Sequence, residues 1–235
     1  MAQAAMTGVV NALGHGTRLL TTIGADVPQP GSSGGPALRA MGSLRVVVLP
    51  TMNLFDPNAR HTCADFMRYI DTQDTDGVSG YVLDLRGNEG GPLTDSSCLV
   101  GYFMKAGETI FQVINKQGSL VKYQSEANSH KPTKLPLVVV IDAHTDNGAL
   151  LVAAVLRDQH RAGVIGELNP SINGGVSSLV FPPGVNRAVV LPTGEILLPD
   201  KRPLAGSVHI DVTMPVQDDA AMLDAARALL AKQPK

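Results

Sequence analysis

The chain has 235 residues, with 19 Lys+Arg against 21 Asp+Glu and a formal net charge of −2, a near balance that gives no field for drawing in nucleic acid or an anionic membrane surface. Hydrophobic residues make up 44% of the chain, which excludes disorder and suffices for a sizeable core without staples. Charged residues are 17%, below the roughly 25% usual in soluble domains, so a second copy of the chain is a candidate partner for the less polar surface.

The segment 3–13 spaces Ala5, Val9, Ala12 and Leu13 like one face of a short helix and stops at Gly14-His15-Gly16. It predicts an N-terminal helical segment over 1–26. Positions 27–35 (VPQPGSSGG) read as a linker, extended here to 27–43, and 44–235 reads as one core domain. Within that domain 44–49 (LRVVVL) is a strand dense in β-branched residues. Asp56-Pro57 then opens a helix whose Cys63, Phe66, Met67 and Ile70 form a core-facing stripe. A strand at 80–85, a helix at 93–104 and an unbroken apolar strand at 137–141 follow, then a helix at 148–160 and a strand at 162–166. This alternation predicts an α/β fold of mainly parallel strands with right-handed crossover helices. From 177 to 212 the pattern is short strands broken by Pro and Gly, and Asp218 or Asp219 caps a last helix carrying Leu223, Ala226 and Leu230.

The longest apolar runs, 135–141 and 149–156, fall far short of the about 18 residues of a membrane span. Cys63 and Cys98 are too few for a disulfide scaffold and lack CxxC spacing, so both read as small buried hydrophobes. The first twenty residues lack a basic start followed by an apolar stretch. The expectation is cytoplasmic residence, or the periplasm or exterior if a leader has been removed.

Two places combine strand ends, glycines and polar side chains. The first is Asp84-Leu85-Arg86-Gly87-Asn88-Glu89-Gly90-Gly91, between a strand and a helix, where ligands of parallel sheets gather. Adjacent glycines bring backbone N–H groups close enough to polarise an oxygen, although a plain tight turn reads equally well from glycine content. The spacing fits neither GxGxxG nor GxxxxGK[ST]. The second is Asp142-Ala143-His144-Thr145-Asp146-Asn147, ahead of a helix N-terminus whose unpaired N–H groups and dipole favour negative charge. There Asp146 or Asn147 also reads simply as the helix cap.

Together these stretches resemble the C-terminal processing (tail-specific) serine peptidases. The DLRxNxGG stretch of that family is matched by DLRGNEGG at 84–91, its TASxxE block by the strand-loop-helix around 145–150, and its later blocks by LRDQHRA at 156–162 and Gly166-Glu167. The segment 4–20 is also similar to the family's helix ending near DPHS, which places His15 at the family histidine. About two dozen residues between Leu20 and Leu44 leave no room for the family's PDZ domain. The nearer likeness is to PDZ-less, nisin-resistance-like members, where the resemblance implies a Ser–His pair on a crotonase/ClpP-like core. It also implies an oxyanion or binding role for Gly90 and Gly91.

The same alignment puts Asn147 where the family's serine stands and Leu150 where its glutamate stands. No lysine follows Gly166-Glu167 within the expected stretch around 171–174. A carboxamide has no proton that a base removes to make a nucleophile. Thr145 with His144 is one candidate for a displaced nucleophile and base. Ser177 and Ser178 have no base in sequence context, and His61, His130, His160 and His209 are scattered. His144-Thr145-Asp146 offers two metal ligands at best, so neither metal nor cofactor is expected. The leading expectation is a pseudopeptidase that binds protein or peptide segments without cutting them. The alternatives are an active serine- or threonine-type hydrolase with a displaced nucleophile, and a structural subunit of an oligomer.

Overall fold

The structure is a computed structural model that describes residues 18–20, 37–50, 77–125, 133–168, 174–180 and 188–233. The predicted helix after Asp56-Pro57, the segment 3–13 and His15 lie outside these residues.

The sheet that carries the loops of interest has six strands. In chain order they are β2 (Ala37–Met41), β3 (Leu44–Val48), β4 (Gly80–Asp84), β7 (Leu137–Ile141), β8 (Ala162–Gly166) and β11 (Val212–Thr213). Their spatial order is β11-β8-β7-β4-β3-β2, and every neighbouring pair is parallel except the hairpin of β2 with β3. Strands β4, β7 and β8 are buried at all five positions, as their unbroken apolar runs require of a sheet covered on both faces.

Alternation along the strands sorts the core into two layers. Val47, Tyr81, Leu83, Val139, Ile141 and Val164 face α1 (Leu93–Gly101) and α2 (Asn147–Asp158). Val46, Val82, Val138, Val140 and Ile165 face α3 (Asp219–Leu230), which presents Met222, Leu223, Ala226 and Leu230. Helix α3 starts where Asp218 accepts from the backbone of Ala220 and Ala221.

A second sheet is antiparallel. Its strands are β1 (Arg18–Leu20), β5 (Thr109–Asn115), β6 (Leu120–Gln124), β9 (Gly175–Val180) and β10 (Ala188–Leu197), in the order β1-β10-β5-β6 with β9 also on β10. Phe111, Ile196 and Leu198 from this region join the core around α2, so that helix is buried without a break from Gly148 to Leu156. The fold is therefore α/β, a mostly parallel sheet joined to an antiparallel one.

Three expectations are corrected. Ala37–Met41, read as linker, is an edge strand of the main sheet, because it pairs along its whole length with β3. Arg18–Leu20, read as part of a helical segment, is a strand registered against Ala188–Val190. The supposed short strands after 177 include one of ten residues, and it keeps Pro192 by placing it at a register shift between Pro192 and Gly194.

Candidate functional site

The loops 85–92 and 142–146 leave the carboxyl ends of β4 and β7, which are neighbours in the sheet. This is the edge where parallel sheets bind ligands. Backbone amides at the two strand ends run across: Leu85 N–H donates to Val140 O and Asp146 N–H to Asn88 O.

Asn88 organises the first loop. It is fully buried, its Nδ2 donates to Leu49 O at 2.9 Å, and its Oδ1 accepts from Gly90 N–H at 2.9 Å. One side chain thus fastens the loop to the end of β3 and fixes the turn that follows. Arg86 fastens the loop's start to the C-terminal region. Its Nε and Nη2 grip Asp84, Nη1 donates to Val216 O, and Nη2 also lies 2.9 Å from Asp219 at the start of α3. The hydrogen bond with Asp84 holds the guanidinium pKa well above its usual value, against the opposing effect of burial.

Asn147 stands at the first turn of α2 with φ +46°, a left-handed conformation that asparagine tolerates better than most residues. It is exposed, and its Nδ2 donates to Glu89 O at 3.1 Å, which ties the two loops together. Gly90, at φ +91°, lies directly beneath: a Cβ there would stand 2.7 Å from Asn147 Cβ and 2.7 Å from Gly148 N. Contacts that close belong only to glycine. Gly148 is constrained in turn by α1, since a Cβ there would overlap Ser96 Oγ.

The two glycines predicted to form one platform have separate parts in this geometry. Gly90 N–H is taken by Asn88 Oδ1, so its contribution is the absence of a side chain. Gly91 N–H has no acceptor among the described residues, and neither has Gly148 N–H at the start of α2. Gly91 N lies 3.5 Å from where a Gly148 Cβ would stand, and Gly148 N borders Gly90. The open donors beside Asn147 are thus those of Gly91 and Gly148. Gly148 is the one that sequence reasoning missed, although an N–H left open in the first turn of a helix is a general rule.

Thr145 is 1% exposed, and its hydroxyl donates to Leu85 O and accepts from Asp142 N–H. It stitches the two loops together from inside. His144 is exposed, and its backbone N–H donates to Asp142 Oδ1. A further hydroxyl, Ser96 on α1, is fully buried and donates to Pro92 O. Ser177 is exposed on β9, and Ser178 lies in the same strand. Among the described residues no group of three or more His, Cys, Asp or Glu could hold a metal.

Asp146 is the helix cap, accepting from Asn147 N–H at 2.7 Å. Its pKa is raised, first by burial and then by the nearby Glu89 charge, against the hydrogen bond from Asn147. A carboxyl whose folded pKa lies above its unfolded value binds protons on folding, so it destabilises once ionised and relieves the fold as pH falls through the raised pKa. Asp146→Asn keeps the cap and removes that ionisation. The variant is expected to equal or exceed the parent in stability at neutral pH, with the difference shrinking as pH drops through the window just above the ordinary carboxylate range. Urea titrations at a series of pH values measure it, and a difference that grows on acidification would contradict the assignment.

Cys98 on α1 is disulfide-bonded, which corrects its reading as a small buried hydrophobe. The chain contains two cysteines, and the other, Cys63, lies outside the described residues.

The fold and the paired loops are those of a peptidase family. The model of Peptidase family S41 matches residues 44–214, and the chain belongs to that family. It is 34% identical over 108 residues to the carboxy-terminal processing protease CtpA of Bacillus subtilis, a stretch covering 45% of this chain and 22% of that protein. It is 30% identical over 132 residues to the carboxy-terminal-processing protease of Bartonella bacilliformis, covering 56% of this chain and 30% of the relative. The matched stretches therefore span less than a third of these curated relatives. Among solved structures, a lipoprotein from Streptococcus agalactiae superposes with a TM-score of 0.76 at 13% identity, over 97% of this chain and 83% of that one. The photosystem II D1 C-terminal processing protease gives 0.58 at 21% identity, over 92% and 52%. At these identities the structural likeness shows the fold alone. No helix among the described residues is long and apolar enough to cross a membrane.

Proposed function

We propose that this chain is a non-cleaving member of its family, a pseudopeptidase that binds extended protein or peptide segments at the edge formed by loops 85–92 and 142–146. The observation that carries this reading is the carboxamide of Asn147 at the first turn of α2, beside the open N–H groups of Gly91 and Gly148. A carbonyl oxygen of a bound segment meets donors there, while the carboxamide of Asn147 offers no nucleophile to attack its carbon. Thr145 and Ser96 are buried and committed to backbone carbonyls. Family membership supports protein as the ligand class. The disulfide at Cys98 favours an oxidising compartment, the periplasm or exterior, over the cytoplasm.

The expected result with a fluorophosphonate probe is no covalent adduct on the native protein, together with retention of peptides from a tail-peptide library on the immobilised chain. Stoichiometric labelling would establish an active hydrolase with a nucleophile elsewhere. Absence of both labelling and peptide retention would leave a structural role as the better reading.

A further inference from the structure

The residue that removes nucleophilic chemistry from the site brings a different reactivity with it. Asn147 is followed by Gly148, so no side chain hinders approach of the Gly148 backbone nitrogen to the Asn147 side-chain carbonyl carbon. In most helical positions that nitrogen is locked in a hydrogen bond, but Gly148 N–H has no acceptor among the described residues. Asn147 itself is exposed and sits at φ +46°, where a residue with a β-carbon is strained. Leaving that conformation for a cyclic one sacrifices the bond from Nδ2 to Glu89 O and loosens the N–H bond to Asp146 Oδ1.

We propose that Asn147 is a self-modification site that deamidates in the folded protein. The Gly148 nitrogen gives up its proton to hydroxide and attacks Cγ of Asn147, Nδ2 takes a proton from water so that hydroxide is regenerated, and the Cγ–Nδ2 bond breaks, ammonia departing to leave a five-membered succinimide. Water then opens the ring at either carbonyl, giving aspartate or isoaspartate at position 147. The net change is one water consumed and one ammonia released. The carboxylate so formed stands at the positive end of α2, close to the open Gly91 and Gly148 donors, which favours its persistence. Modification therefore places a fixed anion where the proposed peptide carbonyl would bind. This last consequence rests on the binding function proposed above, whereas the reaction itself does not.

The test is peptide mapping by mass spectrometry of the intact chain aged in mildly alkaline buffer, folded and in urea, with fragmentation that separates aspartate from isoaspartate. The folded protein is expected to gain one mass unit at position 147, with both isomers present, on the same timescale as the unfolded chain. Asn147→Gln, which cannot readily form the five-membered ring, is expected to abolish the change at that peptide. Asn173-Gly174, the chain's other Asn-Gly pair, reports on the general reactivity of the sequence under the same conditions. Folded protein that keeps Asn147 intact while the unfolded chain converts would overturn the proposal. Asn147→Asp is expected to lose peptide retention shown by the parent. If it retains peptide equally, the consequence for binding fails and the reaction stands. If the parent itself binds no peptide, the proposed function fails and the mass measurement still decides the modification.

Discussion

Gly90→Ala is expected to lower stability by roughly 2–6 kcal/mol, combining about 1–3 kcal/mol for a strained backbone with about 1–3 kcal/mol for overpacking. The backbone stands at φ +91°, and the new methyl would lie 2.7 Å from Asn147 Cβ, 2.7 Å from Gly148 N and 2.8 Å from Asp146 O. Two of these three atoms are backbone, so rotating a side chain cannot relieve the contact. The loop must withdraw from the start of α2, which carries Gly91 away from Gly148. Peptide retention should therefore disappear even where the variant still folds. Urea unfolding measures the first effect and capture on immobilised peptide the second. A variant with the parent's urea midpoint would show that the two loops are not packed as tightly as these distances require.

Arg86→Met is expected to cost about 3–5 kcal/mol, the range for a buried ion pair that loses one partner. The side chain of Asp84 is 5% exposed, and in the variant it would retain a charge without its guanidinium. The same change releases Val216 O and the contact with Asp219, so the loop loses its hold on the start of α3. Adding Asp84→Asn should recover a large part of the loss at neutral pH. Denaturant titrations of the two single variants and the double variant supply the cycle, and independent, additive effects would mean the pair is not coupled.

The parallel strands were legible in the sequence for a physical reason. A strand buried on both faces has no polar alternation, so 137–141 and 162–166 stand out as short apolar runs with the right bounds. The hairpin of β5 and β6 gives no such signal: Leu120, Val121, Lys122 and Gln124 are exposed, and the strand reads as surface. β2 was hidden in the same way, since four of its five residues are exposed and only pairing with β3 orders it. In the site, glycine content and strand ends located both loops. The division of labour between Gly90 and Gly91 was not readable, because it turns on which N–H the buried Asn88 accepts. Thr145 looked like a free hydroxyl until its burial and its bond to Leu85 O were known. The bonded state of Cys98 escaped notice because no CxxC spacing marks it.

The unbroken burial of α2 from Gly148 to Leu156 limits how this protein can change over time. An ordinary surface helix has a wet side on which substitutions accumulate freely. This one is enclosed over more than two turns, so each enlargement along it demands a matching reduction in a neighbour. Drift is therefore channelled to the helix's two ends, and one of those ends is Asn147. The position where this helix meets the loop 85–92 is thus among the few along it where one substitution meets solvent rather than core.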